Sequence, residues 1–502
     1  MPKPRPFDRV AFRLIPSTMA LLGPALLTTR AAGESPKAID VGSRKQLFVD
    51  QTFIESSRGI RLTMNPPHMD GRVLLTNDPP WESAGDARIC CYSSVLKDNG
   101  RVRLWYDVYS KKFRRVAYAE SADGIHFTKP KLNLHEIDGS RANNVVLPGV
   151  IGGCAVWIDL KAPAEQRYKT QAKVYPSGEF HIHSSPDGYR WTLWSKPKIG
   201  HKDTQSVVFW DEAVGRYVLY TRRWVRHEDR EANYRTVRRL ASDDLIHWTG
   251  ERTVMKADQV DLATHETPTA QPPVDYYGAA VFKYPDAAGV YVMLAQAFWH
   301  WKPRAPLRRM GPNAMDVRLC VSRDGKTFRR VGERRPFMKL GPAGSFYSRM
   351  VWALPNPIRM GDELWIYYAG SNVDHADHRD PAATKMLTGI GRAVLRLDGF
   401  VSADADYTGG EIVTPPIRFE GKSLQLNLDT SGGGSVHVAL LDEKARPIQG
   451  FTEADATPLC GNSVRMPVSW GKNRDVSKLA GRPIKIRFAM RDCKLYAFQF
   501  VN

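Results

Sequence analysis

One phrase returns through the middle of this chain. Ser121-Ala-Asp123-Gly124-Ile-His-Phe127 is followed by Ser185-Pro-Asp187-Gly188-Tyr-Arg-Trp191, by Ser242-Asp-Asp244-Leu-Ile-His-Trp248 and by Ser322-Arg-Asp324-Gly325-Lys-Thr-Phe328, at steps of 64, 57 and 80 residues. A weaker fifth copy, Arg396-Leu-Asp398-Gly399-Phe400, follows 74 residues after Ser322. Each copy reads as a tight turn. The aspartate caps backbone N–H groups, the glycine takes positive φ, and the aromatic enters the next strand as a core plug. Self-similarity at tens of residues means that one supersecondary unit is repeated and must bury its apolar face against its neighbours.

A second series interleaves with the turns. Apolar runs at Cys90–Leu96, Cys154–Ile158, Ser206–Trp210, Tyr277–Phe282 and Val351–Ile358 each lead into a polar turn. A strongly β segment follows each: Val102–Val108, Tyr168–Val174, Arg216–Tyr220, Val290–Ala295 and Glu363–Tyr368. No helical period of comparable length competes with this pattern. Five hairpins, each followed by the recurring turn, predict an all-β chain with five four-stranded sheets arranged radially, a five-bladed β-propeller over 37–416. Beyond Gly410 the repeat stops. Leu424-Gln-Leu-Asn-Leu428 and Val436-His-Val-Ala-Leu440 alternate on either side of Ser431-Gly-Gly-Gly434, and the strand-like segments 484–488 and 495–500 follow. This tail predicts a C-terminal β-sandwich over 417–502.

The N-terminus is read apart from the fold. Lys3, Arg5, Arg9 and Arg13 precede a short apolar run from Leu14 to Leu27, and small residues follow at Ala31, Ala32 and Gly33. This predicts a signal peptide over 1–31 and a secreted or periplasmic protein; the run is too short to span a bilayer. Its removal takes away five basic residues and Asp8, lowering the net charge from +19 to +15. Such a field favours anionic partners. The six cysteines include no Cys-x-x-Cys pair, which argues against a thiolate metal site. Pairing of Cys460 with Cys493 and six buried thiols both remain open. No phosphate-binding loop or nucleic-acid module is present, so neither a nucleotide cofactor nor a nucleic-acid partner is expected. The only local basic run is Lys111-Lys-Phe-Arg-Arg115.

Several of these segments carry a resemblance. Leu47-Phe-Val-Asp50, Asn77-Asp-Pro-Pro-Trp-Glu82, the Ser-x-Asp-Gly turns, Asp398-Gly-Phe400 and the β-sandwich tail together resemble the arabinanase, invertase and levansucrase type of glycoside hydrolase, in particular a bacterial branch of it. The resemblance covers residues 37–502. It implies a five-bladed propeller whose axial funnel holds carboxylates, acting on an oligo- or polysaccharide. Pro80-Trp81 follows Asn77-Asp78-Pro79 where the invertase motif has Asn-Gly.

Glycoside hydrolysis needs two carboxyl groups flanking the scissile bond, one protonated and one ionised. In a propeller the first strand of each blade starts near the axis, so acids at those starts converge. They are Asp78, Glu82 and Asp86 before the first hairpin, Asp203 before the third, and Glu266 and Asp275 before the fourth. Glu82, Asp203 and Asp275 form the expected catalytic set. Asp78 and Glu266 are expected to contact substrate, Trp81 and Tyr277 to supply sugar-stacking faces, and Arg222 and Arg349 to clamp hydroxyl, carboxylate or sulfate groups. In Tyr220-Thr-Arg-Arg-Trp224, alternation sends only one of Arg222 and Arg223 inward. The turn aspartates are read as structural. Asp374-His375-Ala-Asp377-His378-Arg-Asp380 is read as a polar loop in preference to a cation site, and no metal is expected. Two alternative readings stay open: a non-catalytic carbohydrate-binding propeller, and a sialidase-like exo-glycosidase.

Overall fold

The computed structural model describes residues 38–502 apart from 79–80, 83–85, 150, 175–176, 201–203, 227–232, 265–271, 302–312 and 376–385. The expected signal peptide, Asp203, Glu266 and most of the Asp374–Asp380 cluster lie outside the described residues. The described chain is almost entirely β, and its one α-helix is the single turn Gln259–Leu262. No helix among the described residues is long and apolar enough to cross a membrane.

Strands pair in sequence order through the middle of the chain. A first sheet sets Arg88–Ile89 and Ser94–Asp98 beside Arg101–Tyr109, then Arg114–Ser121 and Val145–Leu147. The second runs Ile151–Ile158, Tyr168–Val174, Phe180–Ser185 and Thr192–Ser195; the third runs Val207–Asp211, Arg216–Arg226, Asn233–Ser242 and Thr249–Met255. A nine-stranded sheet follows. Its first half is Val274–Lys283, Tyr291–His300, Asn313–Ser322 and Arg329–Arg330. Its second half is Met350–Ala353, Ile358–Met360, Glu363–Ser371, Thr388–Arg396 and, from the other end of the chain, His68–Met69. A single parallel pair, Met315 with Met350, joins the halves.

The recurring turn has the expected anatomy. In each of the four copies one aspartate oxygen accepts two backbone N–H bonds; Asp123 Oδ1 takes those of Ile125 and His126 at 2.8 and 2.9 Å, and Asp324 Oδ1 takes those of Lys326 and Thr327 at 2.8 Å each. What the turns do next is visible only in three dimensions. Trp105 of the first sheet donates to the Gly188 carbonyl of the second sheet's turn at 2.7 Å. Tyr220 of the third sheet donates to Gly325 of the fourth at 2.6 Å. Tyr284, at the end of the fourth sheet's first hairpin, donates to Asp398 of the fifth turn at 2.7 Å. Tyr367, in the second half of the nine-stranded sheet, donates to Gly124 of the first sheet at 2.7 Å. The turn that lacks glycine uses another device: Leu245, at φ 62°, buries its side chain in a cluster with Trp157 and Ile182 of the second sheet. Each turn therefore docks on the sheet before it, and the first docks on the last.

A ten-stranded sheet completes the chain. The long strands Ser423–Asp442 and Ile484–Val501 pair along most of their length. Ile39–Gly42, Gln46–Leu47, Ser56–Arg58 and Ile60–Met64 join from the N-terminal side, and Val401–Ala405 and Gly410–Val413 from just before the tail. The expected boundary at 416/417 thus falls inside one sheet, because its core, with Val41, Phe48, Ile412, Leu424 and Phe488, is drawn from both ends of the chain. The glycine run 432–434 lies within the single strand Ser423–Asp442 as a register shift between Thr430 and Ser435, at the interruption of the alternation. Cys460 is exposed and Cys493 buried, and both are free thiols.

Docking explains why the turns carry glycine. Gly188 has φ +80°, and a Cβ there would stand 2.8 Å from the Trp105 ring, whereas at Gly100, φ +74°, a Cβ would meet nothing within 4 Å. Gly100→Ala is expected to cost only the backbone term, about 1–2 kcal/mol. Gly188→Ala adds overpacking of about 1–3 kcal/mol. Urea midpoints of the two variants check this, and equal costs would show that the turn is not docked.

Candidate functional site

A cavity of about 630 Å³ is lined by residues from every sheet described above except the ten-stranded one. Bulges aim side chains into it, as bulges do when an extra residue breaks the alternation of a strand. Tyr277 is the extra residue of one: Tyr276 pairs with Ala297 and Gly278 with Gln296, leaving Tyr277 without an opposite partner. On the first sheet, residues 90–93 stand between the pairs Ile89–Val108 and Ser94–Trp105, four residues facing two. The run expected to be continuous from Cys90 is broken there.

Among the described residues six basic side chains line the cavity: Arg88, Lys111, Arg114, Lys173, Arg222 and Arg235. Its apolar faces come from Tyr92, Tyr109, Trp224, Tyr277, Met315, Met350 and Trp352. The two sets interleave. The Arg222 and Arg235 guanidinium carbons lie 4.8 and 4.6 Å from the centre of the Tyr277 ring, and Arg235 lies 4.4 Å from that of Trp224. Arg88 covers Tyr109 at 4.5 Å, and Arg114 covers Tyr92 at 4.9 Å. The Tyr277 hydroxyl sits 3.2 Å from His375 Nε2. No aspartate or glutamate lines the cavity among the described residues.

Two buried carboxylates stand behind the cations. Asp107 Oδ2 lies 2.7 Å from Arg114 NH2. Asp275 Oδ2 accepts from the Arg235 backbone N–H at 3.0 Å and its guanidinium at 3.1 Å, with His300 Nε2 3.5 Å from Oδ1. Burial opposes ionisation of Asp275, but the Arg235 charge and His300 outweigh it and hold the carboxyl below its ordinary value. Such pairs fix the guanidinium groups in place and balance charge that a low-dielectric wall could not otherwise hold.

The expected site residues divide accordingly. Arg222 and Tyr277 line the cavity, and Arg223 turns outward, as alternation required. Asp275 belongs to the site through Arg235. Glu82, Trp81 and Asp78 form a separate cluster. Glu82 is fully buried, accepts a short hydrogen bond from Tyr106, and pairs with Lys129 at 2.7 Å; burial raises its pKa despite that cation. Lys129 also reaches Asp78 at 3.5 Å, and Trp81 packs near Phe113. Asp86, beside them, binds Ser110 at 2.7 Å. Arg349 spends its charge on Asp374 at 2.6 Å.

Arg235, Lys173, Trp352 and His375 were not expected. Trp224, Lys111 and Arg114 were not expected there either, although each carried a signal: Trp224 is the i+2 neighbour of Arg222, and the other two fall in the basic run 111–115. Arg235 pairs across the ladder from Trp224, a register that only folding reveals.

No family model matches the chain, and a search of curated proteins finds no match. Solved structures to which it is similar include an N-acetylgalactosamine deacetylase from F. plautii, at 15% identity, covering 68% of this chain and 96% of that one with a TM-score of 0.44. A thermostable family-43 glycoside hydrolase is 13% identical over 67% and 95%, TM-score 0.43. A glycosyl hydrolase from Bacteroides ovatus is 15% identical over 71% and 94%, TM-score 0.40.

The Asp275 pair has a pH signature. Its folded pKa lies below the ordinary 3.8, so its stabilisation is complete above 3.8 and is lost as pH falls from there through the folded value. Asp275→Asn should cost about 3–5 kcal/mol at pH 7, and the gap from wild type should narrow below pH 3.8. Urea midpoints across pH check the trend; a gap constant into the acid range would show that the carboxylate carries no such coupling.

Proposed function

We propose that this chain is an exported, carbohydrate-active enzyme of the glycoside-hydrolase type that cleaves glycosidic bonds of an acidic oligo- or polysaccharide. The observation that carries the reading is the cavity itself. Aromatic faces suit the C–H faces of a sugar ring, and the basic side chains among them suit uronate or sulfate groups. The cyclic docking of turns supports a five-bladed propeller as its frame, with the nine-stranded sheet counted as two blades. The ten-stranded sheet is proposed as a sandwich clamping both chain ends.

Hydrolysis requires a protonated and an ionised carboxyl group. Asp203 directly precedes Thr204, which is buried and whose hydroxyl donates to the Tyr277 carbonyl at 3.2 Å. The proposed catalytic set is Glu82, Asp203 and Asp275, with Glu266 a contact to substrate. One observation favours a second reading, a non-catalytic receptor for acidic glycans: no described carboxylate lines the cavity.

The experiment measures binding and reducing-end release with matched neutral and acidic oligosaccharides. Acidic ones are expected to bind more tightly and to lose affinity as salt rises. Arg222→Ala is expected to weaken them about tenfold to hundredfold, the worth of a charged hydrogen bond. Asp203→Asn is expected to cut turnover by at least about a hundredfold while binding persists. Binding without hydrolysis would select the receptor reading. Equal affinity for neutral and acidic sugars would discard the acidic substrate.

A further inference from the structure

Cys90 and Cys91 both line the cavity. Consecutive side chains on a strand point to opposite faces, yet these two sulfurs lie 3.7 Å apart. The bulge at 90–93 makes this possible. It is pinned by the Cys90 N–H donating to the Asp107 carbonyl at 2.7 Å and the Ser93 N–H donating to the Cys91 carbonyl at 3.2 Å. Arg114, held by Asp107, points a guanidinium nitrogen at the Cys90 sulfur from 3.7 Å. A neighbouring cation favours the thiolate, the reactive form of cysteine.

The two thiols are unequal. The hydrogen bond from Cys91, opposed by burial and helped by Arg114, lowers the pKa of Cys90, and burial pushes Cys91 well up. Elsewhere, burial raises the buried thiols of Cys154, Cys320 and Cys493 to about 12.

We propose that Cys90 and Cys91 are a vicinal redox pair in the cavity wall, closed to a disulfide by a small-molecule disulfide and reopened by reductant. In the first step the Cys90 thiolate, its proton given to solvent, attacks one sulfur of oxidised glutathione. One glutathione thiolate leaves and a mixed disulfide remains. Cys91 then loses its proton and attacks the Cys90 sulfur, expelling the second glutathione thiolate. Two protein thiols lose two electrons and two protons, and one glutathione disulfide becomes two thiols. Closure takes the Cys90 thiol away from Arg114 and stiffens the wall between Ile89 and Tyr92. The inference is independent of the proposed hydrolysis.

The test treats the reduced full chain with oxidised glutathione, removes the reagent, and counts thiols in denaturant. The count is expected to fall by two from the six cysteines present. The peptide holding Cys90 and Cys91 should be two hydrogens lighter and alkylated only after reduction. Cys90→Ser and Cys91→Ser should each form no internal disulfide, and phenylarsine oxide should bind the reduced wild type one to one and the oxidised form not at all. Retention of all six thiols, a stable glutathione adduct without closure, or a light peptide joined to another cysteine would overturn the proposal. The wild-type mass measurement decides it even if a serine variant fails to fold.

Discussion

The hydrogen bond from an aromatic side chain on one sheet to the turn of the next is the constraint on which the rest depends. Trp105, Tyr220, Tyr284 and Tyr367 each give one buried polar hydrogen to the following turn. Leaving such a donor or acceptor unpaired in the core costs about 1–3 kcal/mol, so each turn has one place to sit. Because the first turn docks on the last sheet, the set closes on itself. The sheets so joined, the ten-stranded one apart, all contribute to the wall of one cavity.

At that locus the chain breaks its own regularity. The bulges at 90–93 and at Tyr277, and the shift between Gly152 and Ala155, all lie on first strands. A bulge disrupts the ladder but re-aims side chains, which is how Tyr277 and the two cysteines reach the cavity. The cations there need support as well. Buried guanidinium groups are costly unless paired, and Asp107 and Asp275 are the partners of Arg114 and Arg235. These two carboxylates thus hold the cations in position.

The last sheet is finished by residues from the far end of the sequence. His68–Met69 pairs with Thr388–Arg396. Asp398, fully buried, accepts from Lys45 at 2.8 Å, Tyr284 at 2.7 Å and Asn427 at 2.9 Å. One carboxylate so ties the fifth turn, the N-terminal segment and the long C-terminal strand together. Aspartate suits the position twice over, since it tolerates the left-handed φ of 64° and offers the oxygens that three donors need.

The repeated turn, the alternation of the hairpins and the Arg222/Arg223 parity were legible in the sequence, because each rests on local rules: which residues cap a turn, take positive φ, or share a strand face. Period-two alternation was enough to put Arg222 and Arg223 on opposite faces of their strand. It failed wherever a bulge changed the count, as at Cys90–Ser93, since nothing local marks which residue loses its partner. It failed also for Asp275 and Glu82, which were legible as acids at strand starts but not as the partners of Arg235 and Lys129. Those cations lie 40 residues before and 47 residues after their carboxylates in the chain. Local propensity determined the units; only tertiary structure, by pairing buried charges and docking each turn on its neighbour, decided which side chains share the cavity.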